Sequence, residues 1–434
     1  MAMIRTETEM KDSGIEYVGA IPKDWDLVRL RAYFGERKNK NKDGNETNLL
    51  SLSYGRIIRK NIDKTDGLLP ASFDTYNIVE KNDIIIRPTD LQNDKRSLRT
   101  GLVTEHGIIT SAYIDLMPIG NVDSRFVHYL LHSYDILKVF YNMGSGVRQG
   151  LNYSEFSKLK VPMPLLSEQQ AIADYLDETC SQIDETIAEA KASIDEYKEL
   201  KQSVIFEAVT KGLDKNVAMK DSGIEWIGKT PVDWNIAKIN RVAWTTSGAT
   251  PLRSKETEYY DNAVIRWVRT LDLNNGHVTD SSEKITETAL KNSSCSIMPV
   301  KTVCVAMYGG AGTIGKSGIL EVECATNQAI CSIVSDKKVL NPDYLHYVIM
   351  AVRKYWMKYA VGTRKDPNIN QQIIAQMRIP IPQLSKQDII VNHLDNVTDK
   401  CDSLIAEKES LINDLEAYKK SLIYEVVTGK RRVV

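Results

Sequence analysis

The chain has 434 residues, 42% of them hydrophobic, with 56 Lys and Arg against 57 Asp and Glu for a formal net charge of −1. This composition excludes a disordered or collagen-like chain, and the length fits two to four domains. Six cysteines with no C-x-x-C pair argue against a disulfide framework or zinc ribbon and suit a reducing cytosol; with no apolar run of eighteen residues and a polar start at Met1–Met10, a cytoplasmic protein without membrane attachment is expected.

Near the start, residues 10–25 read MKDSGIEYVGAIPKDW, and residues 219–234 read MKDSGIEWIGKTPVDW, identical at eleven of sixteen positions. An internal repeat of this kind makes the chain one unit of roughly 210 residues present twice. Residues 31–122 then carry β-branched runs punctuated by Gly, Asn and Asp, as in 82–90 and 101–118, and predict short strands. A helix is expected over 124–140, starting after Ser124, followed by a Gly-containing polar loop and a strand ending in VPMP at 161–164, where proline stops sheet pairing. Ser167 is a natural N-cap for a helix without Pro or Gly to Thr210. Its Ile183, Ile187, Ala190, Ile194, Tyr197 and Val204 follow 4-3-4-3 spacing with a skip at Lys201. About 43 residues at ~1.5 Å each make on the order of 65 Å of helix, and such a seam requires a second helix beside it.

The second copy repeats this order. Strands are expected at 264–270, 301–308 and within 318–334, a helix from Pro342, an IPIP strand end at 379–382, and a long helix capped by Ser385. Ile405, Ile412, Leu415 and Leu422 keep the seam, while Leu404, Leu411 and Tyr418 add a flanking stripe. From Asp123 opposite Asn341 onward the copies align at an offset of 218 without a gap, yet 31–122 and 240–340 do not align. A shared frame around a divergent interior is what two readers of different targets require. The expected fold is α+β. Two domains with a curled, mainly β core (1–166 and 213–384) would be separated by two long helices (167–212 and 385–434) pairing as an antiparallel coiled coil.

Charge is uneven. From Ser167 to Leu200 ten acids face only Lys191 and Lys198, a balance of −8, which leaves +7 for the remainder. Basic clusters include Arg87, Lys95, Arg96 and Arg99, with Arg56, Arg59 and Lys60 near them; the second copy has Arg253, Lys255, Arg266, Arg269, Arg364 and Lys365. These could neutralise phosphates, while Gln92, Asn93, Gln149, Asn327 and Gln328 offer the donor–acceptor pairs that base edges require.

Gly310 to Ser317 satisfies the G-x-x-x-x-G-K-[ST] pattern of a phosphate-binding loop, but the β-branched stretch after it reads as a strand where a helix is needed. A Gly-rich hairpin is the better account, with Lys316 free to meet phosphate of another kind. His128 and His132 have metal-ligand spacing without a third ligand, and Cys324 and Cys331 read as packed thiols. No methyltransferase, nuclease or other catalytic constellation is found.

These residues resemble the DNA sequence-specificity subunit of type I restriction-modification systems. The likeness spans essentially the whole chain and rests on K-D-S-G-I-E-[YW]-[VI]-G-x-x-P-x-D-W opening each half, on V/I-P-x-P-x-L-S-x-Q leading into each long helix, and on TIGKSG followed by ATNQAI. The resemblance implies two target recognition domains, each reading half of a bipartite, asymmetric site in double-stranded DNA. It implies two modification subunits as partners, with restriction and translocation subunits recruited through them, and no catalytic site, cofactor or metal on this chain. S-adenosylmethionine, ATP and Mg belong to those partners. It also marks the Gly144 and Gly362 loops as DNA-facing, which adds Ser145, Arg148, Gln149, Thr363, Arg364 and Lys365 to the candidates. The remaining alternatives are a phosphate-loop ATPase and a coiled-coil scaffold that binds no nucleic acid.

Overall fold

The computed structural model describes residues 3–61, 72–89, 91, 98–143, 150–309, 312–362 and 367–433. It divides into a first unit, Met1–Ala190 with Glu409–Val434, and a second, Lys191–Lys408.

In the first unit the opening motif folds as an antiparallel hairpin, Met10–Asp12 with Ala20–Pro22. Its residue types follow from the turn: Asp12 Oδ1 accepts the N–H of Gly14 at 3.0 Å, and Ser13 Oγ accepts that of Ile15 at 3.1 Å. Gly14 stands at φ +66°, where a side chain is disfavoured. The following strand, Asp26–Arg29, pairs with Lys160–Met163, which carries the first V-P-x-P. Four antiparallel strands form the main sheet in the order Phe34–Glu36, Ile114–Pro118, Ile84–Ile86, Thr100–Leu102.

The second unit is built the same way. The hairpin Met219–Asp221 with Lys229–Pro231 repeats the turn, Asp221 accepting from Gly223 at 2.9 Å and Ser222 from Ile224 at 3.1 Å. Asn235–Lys238 pairs with Arg378–Ile381. The sheet runs Ala243–Ser247, Ile330–Ser335, Val303–Ala306, Ser317–Leu320, with Gly276–Val278 added in parallel at the far edge. Numbered along the chain, the four common strands stand in the order one, four, two, three in both units. The interiors that share no alignable sequence therefore share a sheet. They differ around it. The second unit adds a sheet of Lys284–Ile285, Ile265–Val268, Cys324–Thr326 and Ile297–Met298, whereas the first carries a separate two-stranded ribbon, Leu50–Ser53 with Arg56–Arg59.

Each unit also contains a shorter helix, Ser124–Ile136 or Pro342–Val352, packed on its sheet. Asp123 caps the first, so Ser124 is the first helical residue and not the cap; Asn341 caps the second. The long helices are Leu166–Lys211 and Leu384–Val427. Ser167 and Ser385 lie inside the first turn instead of capping it, because the Leu165 carbonyl already accepts the Gln169 N–H at 3.0 Å. The motif glutamine organises these starts. Gln169, 2% exposed, donates to the Pro164 carbonyl at 2.9 Å and accepts from Asp123 N–H at 3.0 Å; Gln387, fully buried, does the same with Pro382 and Asn341, both at 2.8 Å.

Within the first unit, Tyr129 Oη donates to Asp177 at 2.8 Å and Lys419 Nζ to Asp184 at 2.6 Å; within the second, Tyr347 donates to Asp395 at 2.6 Å and Lys201 to Asp402 at 2.6 Å. Of the seam residues, Ile183, Ile187, Ile194, Ile412 and Leu422 are buried, and Tyr197, Val204, Ile405 and Leu415 half-buried. In the flanking stripe Leu411 and Tyr418 are exposed. The end of each long helix seats on the opening motif of its unit. A Cβ at Gly429, where φ is +72°, would lie 2.4 Å from Pro22 Cδ, and one at Gly212 3.1 Å from Trp234. Tyr424 donates to the Val18 carbonyl at 3.1 Å, and Met3–Ile4 pairs with Arg431–Arg432.

Candidate nucleic-acid interface

Strand register determines what gathers at the ends of each sheet. In the second unit Ser247 lies opposite Cys331, Ala306 opposite Ile330, Ser317 opposite Val305 and Gly276 beside Gly318. One end of this sheet therefore collects the loop after Ser247, Met307 and Lys316 next to their strands, Asn274 with Asn275, and the Asn327-Gln328 turn. The TIGKSG and ATNQAI segments are therefore neighbours at that end.

Four expected residues meet here. The loop at Gly248 lies so close to the strand Cys324–Thr326 that a Cβ would fall 1.9 Å from the Thr326 carbonyl. Trp267 Nε1 donates to the Ala249 carbonyl at 3.0 Å, and Tyr260 Oη to that of Pro251 at 2.6 Å. Arg253 lies over the Tyr260 ring at 4.2 Å and over Trp267 at 5.5 Å, with Arg269 6.0 Å from the same indole. Both guanidiniums reach Glu283, Arg253 Nη2 at 2.7 Å and Arg269 Nη1 at 2.7 Å. The hydrogen bond from Arg253 holds the Glu283 carboxyl below the ordinary range, and Glu283 raises Arg253 in turn. Asn327 N–H donates to the Val268 carbonyl at 3.0 Å, and Asn327 Oδ1 accepts from Ala329 at 3.2 Å, so Asn327 shapes the turn while Gln328 projects, exposed, beside Thr250 Oγ1. Arg266 pairs separately with Asp280 at 3.0 Å. The arrangement is a partly exposed cationic and amide surface on a rigid aromatic base, suited to phosphates and base edges. Glu283 and Trp267 were not among the sequence candidates; the alternation in Arg266-Trp267-Val268-Arg269, which sets Trp267 on the side of Arg269 and away from Arg266, was the available signal.

Lys316 is half-exposed at the end of the Gly-rich turn, where its carbonyl accepts Ala306 N–H at 2.8 Å. The strand Ser317–Leu320 follows it directly. A phosphate-binding loop needs a helix N-terminus at that point, so the ATPase alternative lacks its structural basis. Beneath the turn, Arg353 Nη2 donates to the Gly312 carbonyl at 2.7 Å, and a Cβ at Gly315 would lie 2.3 Å from Trp356 Cδ1.

In the first unit the backbones of Arg87 and Arg99 pair at the end of the sheet, Arg87 N–H to the Arg99 carbonyl at 2.8 Å. Arg87 is half-buried. Arg99 departs from the expectation of a DNA-facing cation. It is fully buried, donating to the Thr89 carbonyl at 2.6 Å and to Tyr141 Oη at 3.3 Å, and lies 5.1 Å from the Tyr141 ring. It braces the backbone at Arg87 and Thr89 from inside. Gln92, Asn93, Lys95, Arg96, Ser145, Arg148, Gln149, Thr363, Arg364 and Lys365 lie outside the described residues. The described residues that follow the last six are anchored alike: Leu151 N–H donates to the Pro88 carbonyl and Ile369 N–H to that of Met307, each at 3.0 Å.

His128 and His132, with ring centroids 6.1 Å apart, are pushed by burial down to about 3 and about 4, and His346 to about 3. They are neutral helix-face residues at pH 7. Among the described residues no three of His, Cys, Asp and Glu converge on one point. The six cysteines are free and buried. No described helix is long and apolar enough to cross a membrane.

The family model for the type I restriction modification DNA specificity domain matches residues 22–196 and 231–414. The chain is 23% identical over 428 residues to the type I restriction enzyme MjaVIII specificity subunit of Methanocaldococcus jannaschii, covering 95% of this chain and 94% of that one. It is 23% identical over 318 residues to the EcoBI specificity subunit of Escherichia coli, covering 71% and 66%. A chain solved in a study of complex assembly and conformational transition of the type I R-M system superimposes with a TM-score of 0.72 at 13% identity, covering 94% of this chain and 99% of that one. The HsdS subunit from Thermoanaerobacter tengcongensis does so with a TM-score of 0.53 at 14% identity, covering 94% and 98%.

Proposed function

The chain belongs to the type I restriction modification DNA specificity family, and on that premise we propose that it is the DNA-recognition subunit of a type I restriction-modification complex. Each unit reads one half of a bipartite, asymmetric site. The observation that carries this reading is the common four-stranded sheet with unlike surroundings: one scaffold, used twice, displays two different surfaces.

The chain acts without a catalytic site of its own. Methylation and cleavage belong to two modification subunits and to restriction subunits recruited through them, which carry S-adenosylmethionine, ATP and Mg. The acidic stretch from Ser167 to Leu200 suits a protein partner, and the basic remainder suits phosphate. The long helices pair antiparallel as a spacer between recognition domains spanning about 1–166 and 213–384. In support, Asp184 and Lys201 on one helix and Lys419 and Asp402 on the other stand equally far apart in sequence, the register an antiparallel pair keeps. The deciding experiment is sequencing-based mapping of methylated adenines in cells with and without this chain. One split motif that disappears with the chain is the expected result; an unchanged pattern would overturn the reading.

A further inference from the structure

The ribbon Leu50–Ser53 with Arg56–Arg59 has no counterpart among the described residues of the second unit, and its two faces differ. Cross-strand partners share a face, so Leu52 and Ile57 form one side and Ser51 with Ile58 and Ser53 with Arg56 the other. The first side is bedded on the main sheet. A Cβ at Gly101 would lie 2.6 Å from Leu52 and 2.9 Å from Ile57, so glycine there makes room for the ribbon. The second side is the more open one, with Ser51 and Ser53 half-buried. Ile58 is 42% exposed, the Arg56 side chain 74%, and Lys60 continues the row.

The ribbon's tip carries Tyr54, 89% exposed. Tyr54 and Gly55 have φ of +47° and +78°, the two positive angles of a hairpin turn that favours Asn-Gly. A tyrosine is strained there and buries nothing, so local stability does not explain it. The tip is also aimed. A Cβ at Gly55 would lie 3.1 Å from Leu98, the neighbour of Arg99, and Arg56 Nη2 donates to Asp184 at 2.9 Å, which Lys419 also neutralises. Arg59, on the inner side, is paired with Glu105.

A two-stranded ribbon fits the B-DNA major groove, and its outer row would offer hydroxyls, a guanidinium, an aliphatic side chain and an aromatic tip. We propose that the outer face of this ribbon, Ser51, Ser53, Tyr54, Arg56 and Ile58, enters the major groove of the half-site read by the first unit, with Tyr54 as a specificity-determining contact. This rests on the chain being a DNA reader.

Tyr54→Asn tests it cleanly, because Asn-Gly suits the turn and keeps the ribbon folded. A second variant, Ile58→Ser, changes the face without touching the turn. The full chain, assembled with its modification partners, is used to select from randomised duplex DNA, and thermal melting is followed in parallel. The expected result is unchanged or raised melting with roughly tenfold weaker enrichment, relaxed at positions of one half-site only. Full enrichment by both variants overturns the proposal. So does loss of partner assembly with sequence preference intact, which would make the ribbon a protein contact. No preference in the wild-type complex would instead sink the underlying reading of the chain as a DNA reader, and the ribbon with it.

Discussion

Gln387 Oε1 accepts the backbone N–H of Asn341 at 2.8 Å, and Asn341 is itself the N-cap of the helix Pro342–Val352. One buried carboxamide thus joins the start of a long helix to the start of a short one, and Gln169 repeats the arrangement with Asp123. Gln387→Leu leaves buried backbone groups unpaired. Denaturant unfolding is expected to show a loss of roughly 1–3 kcal/mol.

Gly312 and Gly315 both have φ near +70°, but only Gly315 is confined, by Trp356. Gly312→Ala meets open space and is expected to cost about 1 kcal/mol for its backbone alone. Gly315→Ala must also displace a buried indole and is expected to cost a further 1–3 kcal/mol. In DNA protection assays with the assembled complex, Gly315→Ala should relax one half-site; equal effects from both variants would count against the packing account.

Arg99 and Lys316 should separate structure from binding. Arg99→Ala removes a buried brace and is expected to lower stability by roughly 2–4 kcal/mol. Lys316→Ala leaves stability nearly unchanged while reducing the salt dependence of DNA affinity by about one phosphate contact. Nucleotide titration of the purified chain should show no effect of Lys316→Ala.

Asp115, 1% exposed, is raised to about 8 by burial and by the neighbouring Asp83, against the counteracting charge of Arg37. The folded chain holds this proton when the unfolded chain has released it, so the stabilising contribution is complete in acid and fades as pH rises towards and through 8. Asp115→Asn should remove that decline, making the variant more stable than wild type by about 1 kcal/mol or more at pH 9. Urea unfolding at pH 5, 7 and 9 reads the difference, and a constant offset would contradict it.

The proposed helix pair acts as a ruler. Four residues inserted after Glu196 and four at the matching place on the second helix add ~6 Å, close to two base pairs of duplex at ~3.4 Å each. Methylation mapping should then show both half-sites unchanged in sequence but farther apart; an unaltered gap would exclude the ruler.

Much of this was legible in the sequence, for identifiable reasons. The opening motif is a turn whose Asp, Ser and Gly each do a local chemical task, so it could not drift between copies. The same holds for Gln169 and Gln387, which serve backbone groups. The four-stranded sheet was invisible as a repeat, because buried strands such as Ile84–Ile86 and Val303–Ala306 ask only for apolar side chains and tolerate substitution among them. Arg99 lies inward although an arginine in a basic cluster reads as surface, because the carbonyls of Thr89 and Arg87 that hold it come together only in the fold.

The seating of Gly429 against Pro22 and Trp25 bears on the order in which the molecule is made. A ribosome completes residues 191–408 before it reaches 409–434, so the unit begun second has all its pieces first. The N-terminal unit waits, its motif uncovered, until the last helix turns emerge. Lesions near Val426 should therefore impair recognition by the N-terminal half while sparing the other, the reverse of what position along the chain suggests.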